Sequence, residues 1–429
     1  MLYITYFLLP FLAVLTALFL GAATYLTYQQ MKGFKTKPHS SEQHLPNYSP
    51  FFYGNPVSPD KFIGRQVEVR RIAGRIVREG QSSAVTGTFR SGKTSILTYL
   101  SAPETQTMFY GDNAGNLIFS NLDAKILPVA CDPVRFWSEV LEELQKHIVA
   151  DAPNSSLSDA YQACQENHFA NRELEELIAK IGNLNWQLVL MIDEFDVLLE
   201  RPHLNNTEFL GGLRQLASRS KGALVLVMTI NTSLTQFHHQ TKQFTRAGSP
   251  FLNFLDEIVL GPLSDSEIDK LLHQGNPHFT DDDHSFIKEI AGGYPYLLQA
   301  AASALWESYE YGNEENPIKR QQHAKQEFYD RTKIALTNIW RLWTPTTRKA
   351  FTFVAIASSE TLQTSLQIQP VDIKNRINHE HGFKQALEEL EKQGFVTKEE
   401  EGWQVRPTIF LSFVADQPAQ ELQQLFFTD

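Results

Sequence analysis

The chain opens with an unbroken apolar block. Residues 1–31 contain no Asp, Glu, Lys or Arg, and the apolar body runs from Tyr3 to about Tyr28. Roughly 20 apolar residues cross a bilayer core, so this block is long enough to span with some tilt. Tyr3, Tyr6, Tyr25 and Tyr28 sit near its ends, and Lys32, Lys35 and Lys37 follow at once. The pattern predicts one N-terminal transmembrane helix, with the N-terminus outside and the rest in the cytoplasm, as in a single-pass protein of a bacterial inner membrane. A cleaved signal peptide fits less well, because no Lys or Arg precedes the apolar core. Residues 32–59 are basic and then rich in proline (Pro38, Pro46, Pro50, Pro56, Pro59). That density opposes helix and central strand and predicts a linker. Its aromatics Tyr48, Phe51, Phe52 and Tyr53 predict that part of it packs on the following domain.

From residue 60 short apolar runs alternate with helical spacing. Val69, Ile72 and Ile76 predict a helix. Residues 83–86 predict a strand, and 96–100 continue into a helix. Residues 124–131 read as a second strand, with Pro128 marking an edge or bulge. Trp137, Val140, Leu141, Leu144 and Ile148 line one face of a helix over 134–149. The stretch 151–171 is polar and reads as an irregular surface excursion, and 172–181 as a helix. Continuous apolar runs at 187–192 and 223–230 predict buried parallel strands, and 254–260 a further one. Strands alternating with helices predict an α/β domain over 60–262, a parallel sheet with flanking helices. Beyond it the pattern is helical: Ser264 and Glu267 form a capping box, 281–291 ends at Gly292-Gly293, and 297–311 is a long helix. These define a helical domain over 263–340. Helices over 346–357 and 382–393, then short strands at 395–398 and 402–406, predict a winged helix over 341–429.

Two strand ends carry candidate chemistry. Gly87-Thr88-Phe89-Arg90-Ser91-Gly92-Lys93-Thr94-Ser95 fits G-x-x-x-x-G-K-[ST] and lies between a strand and a helix. In this P-loop pattern the glycines let backbone N–H groups turn inward, and the helix N-terminus favours an anion. Gly87, Arg90, Ser91, Gly92, Lys93, Thr94 and Ser95 are the predicted phosphate contacts. Lys93 is placed to reach the β- and γ-phosphates of ATP or ADP, and the Thr94 hydroxyl to hold Mg²⁺. The second apolar run ends in Asp193-Glu194. A carboxylate at that end of a parallel strand sits beside the phosphate loop. Asp193 is the second predicted metal ligand, and Glu194 the predicted catalytic residue that polarises water. The third run ends at Asn231-Thr232-Ser233. Asn231 is a candidate contact to the γ-phosphate or the water, and a simple turn residue is the alternative.

Composition narrows the class. The net charge of -11 argues against a protein that coats nucleic acid, while leaving local basic patches open. The helix over 382–393 carries three glutamates against two lysines, and Glu399-Glu400-Glu401 tip the hairpin. Phosphate binding needs the opposite sign, so this unit reads as protein-packing or regulatory. Cys131 and Cys164 fit no zinc or redox spacing and read as packing thiols.

With these residues placed, the chain from about 62 to 416 resembles STAND-type P-loop ATPases within the AAA-like set that includes archaeal-type and Orc/Cdc6-like ATPases. The matching residues are Phe62-Ile63-Gly64-Arg65, the loop from Gly87 to Thr94, Asp193-Glu194, Ser249-Pro250, Leu260-Gly261-Pro262-Leu263-Ser264 and Gly293-Tyr294-Pro295. The resemblance implies a helical lid over 263–340 and adds Gly293 and Pro295 as nucleotide contacts, the proline near the adenine. It implies a slow ATPase that acts as a switch: closed on ADP, opened by ATP and a stimulus, then forming homo-oligomers, in signalling or antiviral defence. Such proteins often carry C-terminal sensor repeats, and this chain ends soon after the hairpin. The stimulus is therefore expected from a separate protein partner or from the membrane segment. An arginine finger is not assignable among Arg65, Arg90 and Arg246. A membrane-tethered DNA-binding ATPase and a scaffold that holds nucleotide without turnover are the alternatives.

Overall fold

The computed structural model describes residues 48–151, 155–241, 253–312, 315–366, 370–400, 402–418 and 422. Its centre is a sheet of five parallel strands: β1 (Ser83–Thr86), β2 (Leu117–Asp123), β3 (Gln187–Asp193), β4 (Leu224–Ile230) and β5 (Asp256–Val259), in the order β2-β3-β4-β1-β5. Side chains alternate across the pleat, and the two faces feed two cores. Leu188, Leu190 and Ile192 of β3, with Leu224, Leu226 and Met228 of β4, pack on helices Pro133–Val140, Asn171–Asn183 and Thr207–Arg219. Val189, Met191, Val225 and Val227 pack on the opposite face, against helices Gln66–Gly74 and Lys93–Ser101. Burial on both faces explains why β3 and β4 read as continuous apolar runs.

Three local expectations are corrected. The second strand is Leu117–Asp123, not 124–131. As the edge strand it has only one neighbour, and it ends in alternating exposed polar positions. Ile126 and Val129, which suggested a strand, are largely exposed in the connection that follows. The helix over 134–149 is broken at Leu141 into Pro133–Val140 and Glu142–Asp151. The polar stretch after it holds a helix, Ser156–Glu166, which buries Leu157, Ala160, Tyr161 and Cys164 at helical spacing. Both cysteines are free and buried, and burial pushes the Cys164 thiol up to about 12.

After β5 the chain is helical: Asp265–Leu272, Asp281–Ala291, Pro295–Glu310, the long Pro317–Leu342, and then Pro345–Ala357, Glu360–Leu366, Pro370–His379 and Phe383–Lys392. An antiparallel hairpin of β6 (Val396–Glu399) and β7 (Gly402–Val405) follows, then Ile409–Ala415. The capping box of Ser264 and Glu267 is present. The helices around Pro295–Glu310 and those around Pro345–Ala357 share one continuous core, joined through Leu336, Ile339 and Trp340 of the long helix.

The expectation of a single-pass membrane protein with a cytoplasmic ATPase domain is corrected. Among the described residues no helix is long and apolar enough to cross a membrane, and the block 1–31 on which it rested lies outside them. Residues Ser49–Asp429 form one compact unit, so the proline-rich segment from Ser49 belongs to the folded body. Phe51 is buried in the helical core, stacked on Phe279 with centroids 5.5 Å apart and edge-on to Trp306. The Phe52 N–H donates to Gln299 Oε1 at 3.0 Å. Tyr48 is largely exposed.

Phe51→Ala is therefore expected to destabilise the chain by about 3 kcal/mol, the usual cost of emptying a buried phenylalanine site. Tyr48→Ala is expected to change stability by less than about 0.5 kcal/mol. Thermal unfolding of the two variants beside the parent checks both.

Candidate functional site

The sheet order brings the C-terminal ends of β1, β3 and β4 side by side, and the candidate residues stand at these ends. Gly87 follows β1. A Cβ there would lie 2.6 Å from Ser91 Oγ and 3.1 Å from Leu260 O, so the tight turn needs glycine. Gly92 turns the chain into helix Lys93–Ser101 at φ 97°, and Arg90 adopts φ 67°. The loop folds around the Lys93 side chain, which is buried and donates to Gly87 O and Thr88 O, each at 2.9 Å. Burial lowers the Lys93 pKa to about 8, partly offset by attraction from Glu194, Asp196 and Asp193. Charged groups removed from water are normally paired, and among the described residues this ammonium has only neutral carbonyls within hydrogen-bond distance. Ser91 Oγ and Thr88 Oγ1 are also buried without partners. A glycine cradle with an unpaired cation at its floor fits a phosphate anion.

Asp193 ends β3. Its Oδ2 accepts from Thr94 Oγ1 at 2.6 Å, and its Oδ1 accepts from the Thr229 hydroxyl of β4. This joins the phosphate loop to two neighbouring strands. Two hard oxygens at this spacing suit Mg²⁺ shared with phosphate oxygens and water.

Glu194 leaves the strand in the left-handed region at φ 54°, its N–H donating to Thr229 Oγ1 at 2.8 Å. Both carboxylate oxygens are engaged: Lys125 Nζ lies 2.6 Å from Oε1, and Asn231 Nδ2 donates to Oε2 at 2.9 Å. Burial raises its pKa, but the hydrogen bonds from Lys125 and Asn231 and the charges of Lys125 and Lys93 outweigh it, so the net shift is downward. Asn231 Nδ2 also reaches Asp196 Oδ2 at 3.0 Å.

These groups open on one cleft of about 320 Å³. Arg90, Ser91, Gly92, Lys93, Thr94, Ser95, Glu194, Asn231 and Pro295 line it. Its other end is apolar and aromatic, with Tyr53, Ile63, Phe89, Leu271 and Tyr296. The segment 52–57 forms one wall, tied down by Val57 N–H to Ser95 Oγ at 3.3 Å and by the Arg90 guanidinium to Gly54 O. Arg90 also lies over the Tyr296 ring, 5.1 Å from its centroid. Gly87 and Asp193 stand behind the lining. Gly293 is not brought to the cleft: its carbonyl accepts from Leu263 N–H at 2.8 Å, and a Cβ there would meet Pro262 at 2.5 Å, which makes it a packing glycine. Arg65 lines the cleft and is tied to Gly261 O and Glu68, while Arg246 lies outside the described residues.

Sequence reasoning missed Lys125, Asp196, Thr229 and the wall 52–57. Asp196 carried a signal, its place two residues after Glu194. Lys125 and Thr229 carried none, because their roles arise from contacts across strands.

Comparisons with known proteins bear on the fold and the family. No curated protein matches the sequence. Among solved structures, the Walker-type ATPase of Pyrococcus abyssi superposes with a TM-score of 0.52 at 15% identity, over 84% of this chain and 98% of that one. The ORC2 protein of Aeropyrum pernix, solved in ADPNP-ADP complexes, gives a TM-score of 0.47 at 14% identity, over 85% and 94%. The first likeness shows a shared fold. The family model of the AAA-like domain matches residues 53–347, which spans the cleft from its aromatic wall to the long helix, and this chain belongs to that AAA-like family.

Proposed function

We propose that the chain binds ATP and ADP in this cleft and hydrolyses ATP slowly, as a nucleotide-dependent switch. The observation that carries the reading is the meeting of an unpaired buried Lys93, the Thr94–Asp193 hydrogen bond and Glu194 in one cleft with an aromatic end. The loop N–H groups and Lys93 would bind and orient the phosphates, Thr94 and Asp193 would hold Mg²⁺, and Tyr296 and Pro295 would pack near the base. A bound Mg²⁺ would neutralise charge on the phosphate oxygens. Glu194 would orient the attacking water. Its two oxygens are held by Lys125 and Asn231; each keeps a second lone pair for water, but these partners lower the Glu194 pKa and so weaken its pull on a water proton. That restraint supports slow turnover.

The C-terminal unit supports the switch reading. In the helix Phe383–Lys392, Gln385 and Glu389 face Thr88, Asn231 and Thr232 across a cleft of about 470 Å³. Tyr294 of the lid turn is fully buried, its ring centroid 4.9 Å from that of Phe395. Nucleotide state at the strand ends would thus reach the C-terminal helix directly. Homo-oligomerisation in the ATP state and a separate sensor or effector protein belong to the same proposal. The helix that would enter DNA in a winged helix turns one face to the polar strand end at Asn231 and carries acidic residues, which favours regulation over DNA binding.

Lys93→Ala is expected to weaken binding of labelled ATP and ADP by at least about tenfold, since a charge-assisted hydrogen bond contributes ~1.5–3 kcal/mol. Glu194→Gln is expected to keep nucleotide binding and to slow phosphate release by about 10²–10⁴-fold. Equilibrium binding and a phosphate-release assay check both; binding unchanged in Lys93→Ala would contradict the reading. In mobility shifts with duplex DNA at several salt concentrations, the parent chain is expected to show no tight, salt-sensitive complex.

A further inference from the structure

The fourth residue of Asp193-Glu194-Phe195-Asp196 has no part in the mechanism above, yet the fold returns it to the site. Glu194 turns the chain out of β3. Phe195 is fully buried, 6.0 Å from Phe237 between ring centroids, and a short helical turn, Phe195–Glu200, begins there. This places the Asp196 carboxylate against Asn231 at the end of β4, with Nδ2 at 3.0 Å from Oδ2 and 3.4 Å from Oδ1. Asn231 Nδ2 therefore stands between two carboxylates, Glu194 on one side and Asp196 on the other.

The chemistry settles which way the amide points. A carboxylate accepts and cannot donate, so the NH₂ group faces the two acids and the carbonyl faces away. That carbonyl oxygen is buried without a partner. The two acids hold the amide in an arrangement that leaves its own acceptor unsatisfied, so an amide released by both would be free to turn. The two acids differ in their other surroundings: Glu194 is also paired with the half-exposed Lys125, whereas Asp196 follows the buried Phe195.

We propose that Asp196 is a positioning residue for ATP hydrolysis: it keeps Asn231 at the strand end when Glu194 turns to the attacking water. Asp196 acts through Asn231 and touches neither phosphate nor water. Burial raises the Asp196 pKa and Glu194 adds to the rise, while the Asn231 hydrogen bond and the Lys93 charge oppose it and favour the carboxylate that the amide needs. The idea rests on the ATPase reading and adds a residue that the reading does not need.

The test uses the full chain and five proteins: parent, Asp196→Ala, Asp196→Asn, Asn231→Ala and the double variant of Asp196→Ala and Asn231→Ala. Dissociation constants for a fluorescent ADP analogue, kcat and KM for ATP are measured for each. Asp196→Ala is expected to lower kcat by at least about tenfold, the scale of losing alignment at a reacting centre, with analogue binding within about twofold of the parent. Asp196→Asn, which keeps an acceptor for the Asn231 amide, is expected to recover most of kcat. In the Asn231→Ala background, removing Asp196 is expected to cost nothing more, because its only route to the chemistry is already gone. Parent-like kcat in Asp196→Ala overturns the proposal, as do additive losses in the double variant. Asp196→Asn as impaired as Asp196→Ala also overturns it, since that result assigns a role in charge or folding. Absence of turnover in the parent would instead overturn the ATPase reading.

Discussion

A buried ammonium without a counter-ion organises this protein. Lys93 sits at the floor of the glycine loop, bonded to two carbonyl oxygens, with its pKa drawn down to about 8 by burial. Burying an unpaired charge is costly, and the surroundings offset that cost at a distance. Three acids, Asp193, Glu194 and Asp196, face it from the end of β3, and each is held off by another partner: Thr94 and Thr229 for Asp193, Lys125 and Asn231 for Glu194, Asn231 for Asp196. The sheet order makes this arrangement, because β1, β3 and β4 end side by side. The site is a set of charges kept slightly apart, with Lys93 on carbonyl oxygens instead of a carboxylate.

The second organising fact is that nucleotide cleft and helical core share a boundary. The segment from Ser49 threads Phe51 into the helical core and then, over 52–57, walls the cleft. Arg90, in the phosphate loop, is bonded to that wall and lies over Tyr296 at the start of Pro295–Glu310. At the other side, helix Phe383–Lys392 faces the polar strand end at Asn231. The phosphate loop and the strand ends therefore lie against three elements: the wall, the helix Pro295–Glu310 and the helix Phe383–Lys392. The AAA-like fold supplies the sheet, and the outer elements are packed on its strand ends.

Much of the centre was legible because local rules act there. The glycine loop carries a spacing that steric limits enforce, as the short Gly87–Ser91 approach shows, and β3 over Leu188–Ile192 and β4 over Leu224–Met228 are apolar because both faces are buried. The capping box of Ser264 and Glu267 is a local hydrogen-bond pattern and appears as read. The edge of the sheet was not legible. Leu117–Asp123 mixes polar and apolar positions, as a strand with one neighbour can, while the more apolar Ile126 and Val129 are exposed. The long helix Pro317–Leu342 carries Phe328, Thr332, Leu336 and Ile339 at helical spacing, a signal that was present but unread under a polar surface. Lys125 and Thr229 reach the site only through strand pairing, and no local pattern announces such contacts.

The central claim is that the cleft at the ends of β1, β3 and β4 holds a nucleoside triphosphate through Lys93, Thr94 and Asp193. Diffraction from the chain crystallised with Mg²⁺ and a non-hydrolysable ATP analogue tests it most directly. The account predicts phosphates on the loop amides with Lys93 turned from its carbonyls to a phosphate oxygen, the metal beside Thr94 and Asp193, and the base against Tyr296. An empty cleft at saturating analogue, or an analogue bound elsewhere with Lys93 still on Gly87 and Thr88, would contradict it.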